Sequence, residues 1–343
     1  MQATKVALLL PLSGTNAALG QSMLDAAQMA LFDLAGDGFE LMPRDTKGTP
    51  QGAADAARQA ISEGARLILG PVFAPDVAAV RPIAQNAGVD VLAFTNDQTQ
   101  AGAGTYVLGL LPGDQVARVV GFARSRGITR FVALAPRNAY GDAVVNALQN
   151  AAGRVGGQVA QVERYDANIA DFNAAARLVT QAAVQPQAVV LAEGGQRVKA
   201  LAAALAANGV DTQRVRLLGT ALWDEPGLGQ EPALAGGWFA APEPEQRASV
   251  EQRYERLYGK KPPRVATLAY DATALAAILA RMGGPTPYTP AALSNPSGFE
   301  GVDGLFRLRP NGLSERALSV LEVTPTGSRV LDPAARTFEV LGQ

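Results

Sequence analysis

The chain has 343 residues, enough for one large α/β unit or for two domains. Its composition is 48% hydrophobic and 18% charged, which is typical of a globular protein and argues against a disordered chain. Its 30 basic and 31 acidic residues give a net charge of −1. Because nucleic-acid binders rely on basic residues that neutralise phosphates, we expect no nucleic-acid partner.

Histidine and cysteine are both missing from the sequence. Their absence excludes Ser-His-Asp and Cys-His catalytic sites, histidine or thiolate metal centres, and disulfide-exchange chemistry. An enzyme would have to rely on carboxylates, tyrosines or lysines. We therefore expect a protein that is not an enzyme and that uses neither a cofactor nor a metal.

Alternating strands and helices are predicted over the first part of the chain. Continuous apolar runs closed by glycine or proline are typical of buried parallel strands, and apolar residues three or four positions apart indicate helices. The βαβαβαβ order predicts a doubly wound parallel sheet. The predicted strands are Val6–Leu10, Phe39–Met42, Leu67–Leu69 and Val89–Phe94, and the predicted helices are Gln21–Leu34, Ala53–Ser62 and Pro75–Asn86.

The same alternation restarts after a strand at Tyr106–Leu111. A second α/β unit in tandem is the simplest explanation of this restart. Its predicted strands are Phe131–Ala135, Gln158–Glu163, Ala188–Ala192, Leu217–Gly219 and Gly237–Ala240, and its predicted helices are Gly113–Arg126, Ala139–Ala152, Asp171–Ala183 and a helix around Val198–Leu205.

The remaining segment, from Glu243 onwards, is too short for a third α/β domain. It contains a polar helix that ends at Tyr258, a second helix at Thr267–Met282, and short strands near its end. We expect this segment to complete the two earlier sheets rather than to fold by itself.

Candidate binding residues follow the predicted strands, because open parallel sheets bind ligands beyond the carboxyl ends of their strands. Two facing sets of such loops would form a cleft for a small molecule. Ser13 and Gly14 offer a hydroxyl and amides that suit an anionic group, or they form a simple turn. Thr95, Asn96 and Thr99 offer further donors at the end of another strand.

In the second unit, each candidate has two interpretations. Tyr140 either stacks on a ligand or packs against its own helix, and Glu193 either binds an ammonium group or is a solvated loop residue. Trp223 beside Asp224 suits a cationic or sugar-like ligand, although tryptophan is as often a core residue. If Trp223 is a contact residue, Trp223→Ala should abolish ligand binding with little loss of stability.

Short motifs in a characteristic order run along nearly the whole chain. Together they resemble the type I periplasmic binding proteins, and in particular the receptors for branched-chain amino acids. The motifs are Val6–Gly14 followed by Leu19-Gly20, Asp45-Thr46 before Pro50, Leu69-Gly70-Pro71, Val89–Thr95, Tyr140-Gly141, Ala269–Ala272, Phe299–Gly304, and Phe306 with Asn311-Gly312.

This resemblance implies two doubly wound, Rossmann-like lobes joined by three crossover segments, with the ligand cleft between the lobes. Lobe one would comprise 1–111 and 243–316, and lobe two 112–242 and 317–343. Family members are exported, often as lipoproteins. We therefore expect a periplasmic protein, lipid-anchored in some forms, whose signal peptide is not part of this sequence. No apolar stretch is long enough to span a membrane.

The resemblance also implies a solute-binding component of an ABC importer, with a small polar, amino-acid-like ligand and an ABC permease as partners. In such receptors a serine after the third strand and a threonine after the fourth bind the ligand's carboxylate, and an acid in lobe two binds its ammonium group. Ala74 stands at the serine position and Thr99 at the threonine position, with Asp97 nearby. Asp224 or Glu193 would be the acid.

A second branch of the family has the same fold but activates a penicillin-binding protein, a peptidoglycan synthase, through protein–protein contact. The segments Ala26–Asp33, Pro43–Thr46 and Leu69–Phe73 resemble this branch, which remains the alternative function. For the receptor, the expected ligand contacts are Ser13, Gly14, Phe73, Ala74, Thr95, Asn96, Thr99, Tyr140, Glu193, Trp223 and Asp224.

Overall fold

The structure is a computed structural model that describes residues 3–36, 38–282 and 284–338. The chain divides into two compact units. Unit 1 comprises the residues up to Leu111, Pro244–Ala317 and the residues from Arg336 onwards, whereas unit 2 comprises Pro112–Glu243 and Leu318–Ala335.

The first part of unit 1 alternates strands and helices as predicted. Its strands are β1 (Thr4–Leu10), β2 (Phe39–Asp45), β3 (Leu67–Leu69), β4 (Asp90–Ala93) and β5 (Thr105–Val107). Its helices are α1 (Ala17–Leu34), α2 (Pro50–Ser62) and α3 (Ala74–Ala87), followed by a 3₁₀ turn at Gln98–Gln100.

Unit 2 repeats this alternation. Its strands are β6 (Arg130–Pro136), β7 (Gln158–Tyr165), β8 (Ala188–Leu191), β9 (Arg216–Gly219) and β10 (Trp238–Ala241). Its helices are α4 (Pro112–Ser125), α5 (Ala139–Arg154), α6 (Asn173–Thr180) and α7 (Gly195–Ala207), and 3₁₀ turns lie at Ala221–Trp223, Leu228–Gln230 and Pro232–Leu234.

The last third of the chain contributes to both units. In unit 1 it forms α8 (Pro244–Tyr258), α9 (Ala266–Met282), α10 (Pro290–Leu293), β11 (Phe299–Gly301), β12 (Gly304–Leu308) and β13 (Ser314–Arg316). In unit 2 it forms β14 (Ser319–Thr324) and β15 (Gly327–Asp332).

The five-stranded sheet of unit 1 is parallel throughout, in the order β2-β1-β3-β4-β5. Residues of β1 alternate between its two faces. Val6 and Leu8 pack with α1 and α9, whereas Ala7 and Leu9 pack with α2 and α3. All four side chains are fully buried. Because helices cover both faces of the sheet, the strand is apolar along its whole length.

The sheet of unit 2 has seven strands in the order β15-β14-β10-β9-β8-β6-β7. Its parallel part, β7-β6-β8-β9-β10, repeats the strand order of unit 1. One face packs with α6 and α7 and the other with α4 and α5. The predicted fold class, two doubly wound α/β lobes, is therefore confirmed.

The expectation that the C-terminal segment completes both sheets is half right. Strands β14 and β15 extend the sheet of unit 2 in antiparallel pairing. In unit 1, however, β11, β12 and β13 form a separate antiparallel sheet. Alternate residues of β12 are buried, and Phe306 and Leu308 reach the core that β1 shares with α1 and α9. A sheet with one buried face needs such alternation.

The chain passes from one unit to the other after residues 111, 243, 317 and 335. The guanidinium carbon of Arg307 lies 4.5 Å from the centre of the Phe338 ring, and both residues belong to unit 1. Within the described ranges, no helix is long and apolar enough to cross a bilayer.

Candidate functional site

Each unit has a single edge where the carboxyl ends of its parallel strands meet. In the strand order of unit 1, the connections from β1 and β3 leave on opposite sides of the sheet, and in unit 2 those from β6 and β8 do so. Doubly wound sheets bind ligands at this switch point, beyond the carboxyl ends of the strands. We refer to the loops there as edge 1 (residues 12–19, 71–76 and 95–99) and edge 2 (136–142, 165, 193–197 and 220–225).

At edge 1, the loop after β1 is organised around Asp45, the last residue of β2. Because Asp45 pairs with Leu10 in the sheet register, its side chain lies beside the loop that follows β1. Oδ1 accepts the backbone N–H groups of Leu12 (2.9 Å), Ser13 (3.2 Å) and Lys47 (2.7 Å), and Oδ2 accepts the Ser13 hydroxyl at 2.6 Å. Ser13 therefore donates to a carboxylate of the chain itself.

The protonation of Asp45 follows from these contacts. Burial works towards a higher pKa, but the hydrogen bonds from Ser13, Lys47 and Leu12 outweigh it and hold the pKa of Asp45 below its usual range. Gly14, next in the loop, is exposed and has a φ of 80°, a left-handed conformation that glycine adopts without strain.

The loop after β3 leads directly into α3. Phe73 occupies the N-cap position but makes no capping hydrogen bond, and Ala74 is the first helical residue. Both side chains are partly exposed. Asp76, in the first turn, is 2% exposed, and its Oδ2 has no hydrogen-bond partner among the residues that the structure describes. Burial raises the pKa of this carboxyl group.

The loop after β4 contains three of the predicted contacts. Thr95 is buried, and its hydroxyl oxygen accepts the backbone N–H of Asp97 at 3.1 Å. Asp97 Oδ1 in turn accepts the backbone N–H of Thr99 at 2.9 Å and its hydroxyl at 2.7 Å. Asn96 is exposed between them. As with Ser13, the donors of Thr99 point to a carboxylate of the chain.

At edge 2, Tyr140 follows β6 and lies in the first turn of α5. Asn138 caps this helix by accepting the backbone N–H of Gly141 at 2.8 Å. The Tyr140 hydroxyl oxygen lies 2.8 Å from that of Thr220, which follows β9. Burial, and secondarily the charge of Glu193, raise the pKa of Tyr140 to about 12, so the phenol stays protonated at neutral pH.

Glu193 follows β8 and is nearly buried, with an exposed fraction of 8%. Its Oε1 accepts a hydrogen bond from Arg197 Nη2 at 2.9 Å, and its Oε2 accepts one from Arg197 Nε at 3.1 Å. Oε1 also accepts a hydrogen bond from the Tyr165 hydroxyl at 3.0 Å. Burial, together with the charge of Glu193, raises the pKa of Tyr165. The alternative of a solvated Glu193 is therefore wrong, because the carboxylate is nearly buried and is held by Arg197 and Tyr165.

Trp223 is a core residue. It is 1% exposed, packs with the interior of unit 2 at 6.2 Å from the Phe239 ring centre, and donates Nε1–H to the backbone oxygen of Glu193 at 3.0 Å. Gly219 leaves room for the ring, because a Cβ at that position would lie 2.1 Å from it. The expectation that Trp223 lines a pocket is corrected accordingly. The neighbouring Asp224 is half-buried.

Edge 2 thus brings together Tyr140, Glu193 and the predicted loop of Asp224, and it adds Tyr165 and Arg197, which sequence reasoning missed. The four-residue spacing from Glu193 to Arg197 was a visible signal, since such pairs meet at a helix start. Over the described residues, no group of three or more acidic side chains is placed to hold a metal ion.

Comparison with known proteins places these features in a family. A family model described as periplasmic binding protein matches residues 3–328. An ABC transporter substrate-binding protein from Sphaerobacter thermophilus has a TM-score of 0.80 at 20% identity, covering 96% of this chain and 97% of that one.

Two further solved structures are similar over almost their whole length. The leucine-, isoleucine-, valine-, threonine- and alanine-binding protein from Brucella ovis has a TM-score of 0.79 at 19% identity, covering 99% and 96% of the two chains. A solute-binding protein from R. palustris in complex with benzoate has a TM-score of 0.71 at 20% identity, covering 98% and 97%.

Comparison with curated protein sequences gives no match. The family model nevertheless spans most of the chain, and the two doubly wound units agree with the fold of the solved structures. This chain belongs to the periplasmic binding protein family and has the type I fold of the branched-chain amino acid receptors.

Proposed function

We propose that this protein is an extracytoplasmic receptor that binds a small polar solute for an ABC importer. Members of the family are solute-binding proteins rather than enzymes, and family membership implies a location outside the cytoplasm. The observation that carries the proposal is the presence of two hydrogen-bonded pairs, Tyr140–Thr220 and Tyr165–Glu193, at the switch point where a sheet of this topology binds ligands.

In each unit taken by itself, we propose as ligand contacts groups that lie at its own edge. At edge 1 these are Gly14, Phe73, Ala74 and Asn96. At edge 2 we propose Tyr140, whose side chain is half-buried and whose hydroxyl is oriented by Thr220 before any ligand arrives. Preorganised polar groups of this kind give a site its specificity.

The removal of one hydroxyl tests the contribution of Tyr140. Tyr140→Phe keeps the ring and removes its hydrogen bond, so we expect the affinity for the solute to fall by about tenfold while the fold is kept. Isothermal titration calorimetry measures the affinity, and Tyr288→Phe, which removes a hydroxyl that donates to the backbone oxygen of Ala276, is the matched control. An unchanged affinity in Tyr140→Phe would remove this residue from the site.

A thermal-shift screen tests the function itself. The panel contains amino acids, small organic acids, sugars and peptidoglycan fragments. A ligand at 100 times its dissociation constant stabilises the folded state by about 2.7 kcal/mol, which raises the melting temperature by several degrees. We expect one chemical class to give a saturable shift.

The screen also separates the receptor from the second branch of the family. A protein that activates a penicillin-binding protein needs no small ligand, so no compound would shift its melting temperature. In that case purified peptidoglycan synthase should bind the protein directly in a calorimetric titration. That pair of results would contradict the receptor function.

A further inference from the structure

The sheet of unit 2 has a second edge, at which the amino ends of its five parallel strands meet. We propose that this amino edge binds the phospholipid headgroups of an anionic membrane through its arginines. The inference concerns a surface other than the solute site and does not depend on the proposed receptor function. The amino edge consists of the segments that lead into β6–β10, which are residues 124–130, 153–158, 184–188, 211–216 and 235–238.

The amino edge is strongly basic, although the chain as a whole is close to neutral. The sequence has 30 basic and 31 acidic residues, yet this edge has six arginines and only one acid, Asp211. Asp211 is paired with Arg214 at 3.5 Å. Within the described ranges, the other five arginines form no ion pair with a carboxylate. They are Arg124, Arg126, Arg130, Arg154 and Arg216.

Two further acids lie next to the amino edge, and both have partners elsewhere. Glu322 stands opposite Trp238 in the sheet register, and its carboxylate pairs with Arg329 at 2.6 Å. The carboxylate of Glu231 accepts the backbone N–H of Ala233 at 3.1 Å. Neither acid forms an ion pair with the five arginines, so the edge keeps an excess of positive charge.

Three of the five guanidinium groups use only one nitrogen inside the protein. Each donates its Nε–H to a backbone oxygen, at 3.0 Å from Arg124, 3.1 Å from Arg130 and 3.3 Å from Arg154. Their terminal nitrogens have no acceptor among the residues that the structure describes. Because a guanidinium group presents its nitrogens as a planar fork that fits two phosphate oxygens, these side chains suit phosphate groups from outside the chain.

The two remaining arginines lie on aromatic rings. The guanidinium carbon of Arg126 is 4.9 Å from the centre of the Phe122 ring, and that of Arg216 is 4.5 Å from the centre of the Trp238 ring. The two rings meet edge to face, with their centres 5.1 Å apart. Such contacts orient a guanidinium group without neutralising its charge, so both arginines still attract anions.

The spread of these charges favours an extended surface over a small ligand. Strands of a sheet lie about 4.8 Å apart, so the five parallel strands span about 19 Å of this edge. Arg154 precedes β7 and Arg130 begins β6, at one end of the strand order, whereas Arg216 begins β9 near the other end. A single phosphate group cannot contact both ends, but a row of headgroups can.

A membrane is the phosphate-bearing surface that fits the location of this protein. Family membership implies a location outside the cytoplasm, where the headgroup layer of a membrane is within reach. The amino edge also exposes an apolar side chain, because Val184 is 42% exposed. Proteins that lie on membranes combine basic residues with exposed apolar ones in this way.

Co-sedimentation of the whole protein with lipid vesicles tests the proposal. One set of vesicles contains phosphatidylcholine alone, and the other contains equal parts of phosphatidylcholine and the anionic phosphatidylglycerol. We expect binding to the anionic vesicles only, and this binding should weaken as the salt concentration rises from about 0.05 M to about 0.2 M. Equal binding to both sets, or no binding to the anionic set, would overturn the proposal.

Two triple variants with the same loss of charge test the role of the amino edge. The edge variant carries substitutions at three of its exposed positions, Arg124→Gln, Arg126→Gln and Arg154→Gln. The control variant carries substitutions at three exposed positions of unit 1, Arg58→Gln, Arg256→Gln and Arg309→Gln. Each basic residue near an anionic surface contributes about fivefold to binding, so the edge variant should bind about a hundredfold more weakly. The control variant should lose far less.

Two further results would overturn the proposal. Equal losses in the two variants, with both shown to be folded by thermal unfolding, would mean that total charge rather than the amino edge governs binding. Saturable binding of inorganic phosphate in a calorimetric titration, abolished in the edge variant, would mean that the edge holds a single small anion. We expect no saturable binding of inorganic phosphate.

Discussion

At the scale of single residues, the decisive feature of Glu193 is its neighbour. Its place after a strand was readable from the sequence, but its role depends on Arg197 and Tyr165, which lie on two other elements. Trp223 also shows that a residue's place in the sequence does not determine its role. A tryptophan in a strand-end loop suits either a ligand or a core, and only the close contact with Gly219 settles the choice.

Trp223→Ala should therefore affect folding before it affects binding. Removal of a large ring from a filled core costs about 3–5 kcal/mol of unfolding free energy, because the cavity does not close completely. Chemical denaturation measures this loss, and Leu222→Ala, at the neighbouring exposed position, should cost much less. A Trp223→Ala protein as stable as its parent would contradict the core assignment.

A second group of residues, in unit 1, forms a buried charged cluster. The Asp271 carboxylate, 2% exposed, accepts the backbone N–H of Val302 at 2.7 Å and lies 4.0 Å from the guanidinium of Arg316. Asp303, also buried, pairs with Arg264 at 2.7 Å. Burial and the charge of Asp303 raise the pKa of Asp271 to about 7, whereas Arg264 and Arg316 outweigh burial and lower the pKa of Asp303.

The raised pKa of Asp271 predicts how the stability of the fold depends on pH. Between pH 3.8 and about 7 the folded protein keeps a proton on Asp271 that the unfolded chain releases, so this group destabilises the fold progressively as the pH rises. Asp271→Asn carries no such proton. Its stability relative to the parent should therefore improve between pH 4 and pH 7, by about 1.4 kcal/mol for each unit of pKa shift.

Urea denaturation of both proteins across this pH range measures the difference. Asp55→Asn, at an exposed position, is the control and should follow the parent at every pH. A constant difference between Asp271→Asn and the parent would show that Asp271 has an ordinary pKa in the folded state.

At the scale of elements, the strands were predicted best, because buried parallel strands are continuous apolar runs whose ends are marked by glycine or proline. Helix starts were predicted less well. The apolar spacing predicted a start at Gln21, yet α1 begins at Ala17. Its first turn packs against the backbone after β1, and a Cβ at Gly20 would lie 2.0 Å from the Pro11 oxygen. No local pattern encodes such a contact.

Two glycine substitutions in helices should have opposite effects on stability, because only Gly20 lies against backbone atoms. Gly20→Ala should destabilise the protein by at least about 2 kcal/mol, because backbone rather than a flexible side chain blocks the new methyl group. The methyl group of Gly121→Ala in α4 would meet no atom of the described residues within 4 Å, so this variant should be more stable by about 0.5–1 kcal/mol through helix propensity. Thermal unfolding of the two variants compares them, and equal effects would contradict the packing of α1 on β1.

At the scale of the whole molecule, the tandem α/β organisation followed from one observation, the restart of the strand–helix alternation after residue 111. The path of the last hundred residues did not. Strands β14 and β15 join unit 2, but β11 to β13 form a sheet of their own, and the chain then returns to Phe338 beside Arg307. Pairings between such distant segments are set by the packed fold, so a local pattern cannot predict them.

The site was predictable to a similar degree. Strand order placed the loops of Tyr140 and Glu193 at one edge, but the partners of their side chains, Thr220 and Arg197, are set by the packed fold. The sequence supplied the location, and the contacts supplied the chemistry that we propose.

The central claim is that this protein binds one small polar solute. A calorimetric titration tests it most directly, with the compound that gives the largest thermal shift in the panel added to the unmodified protein. We predict saturable binding of one molecule per chain, weakened in Tyr140→Phe and unchanged in Tyr288→Phe. A panel in which no compound stabilises the protein or gives measurable heat of binding would contradict the claim.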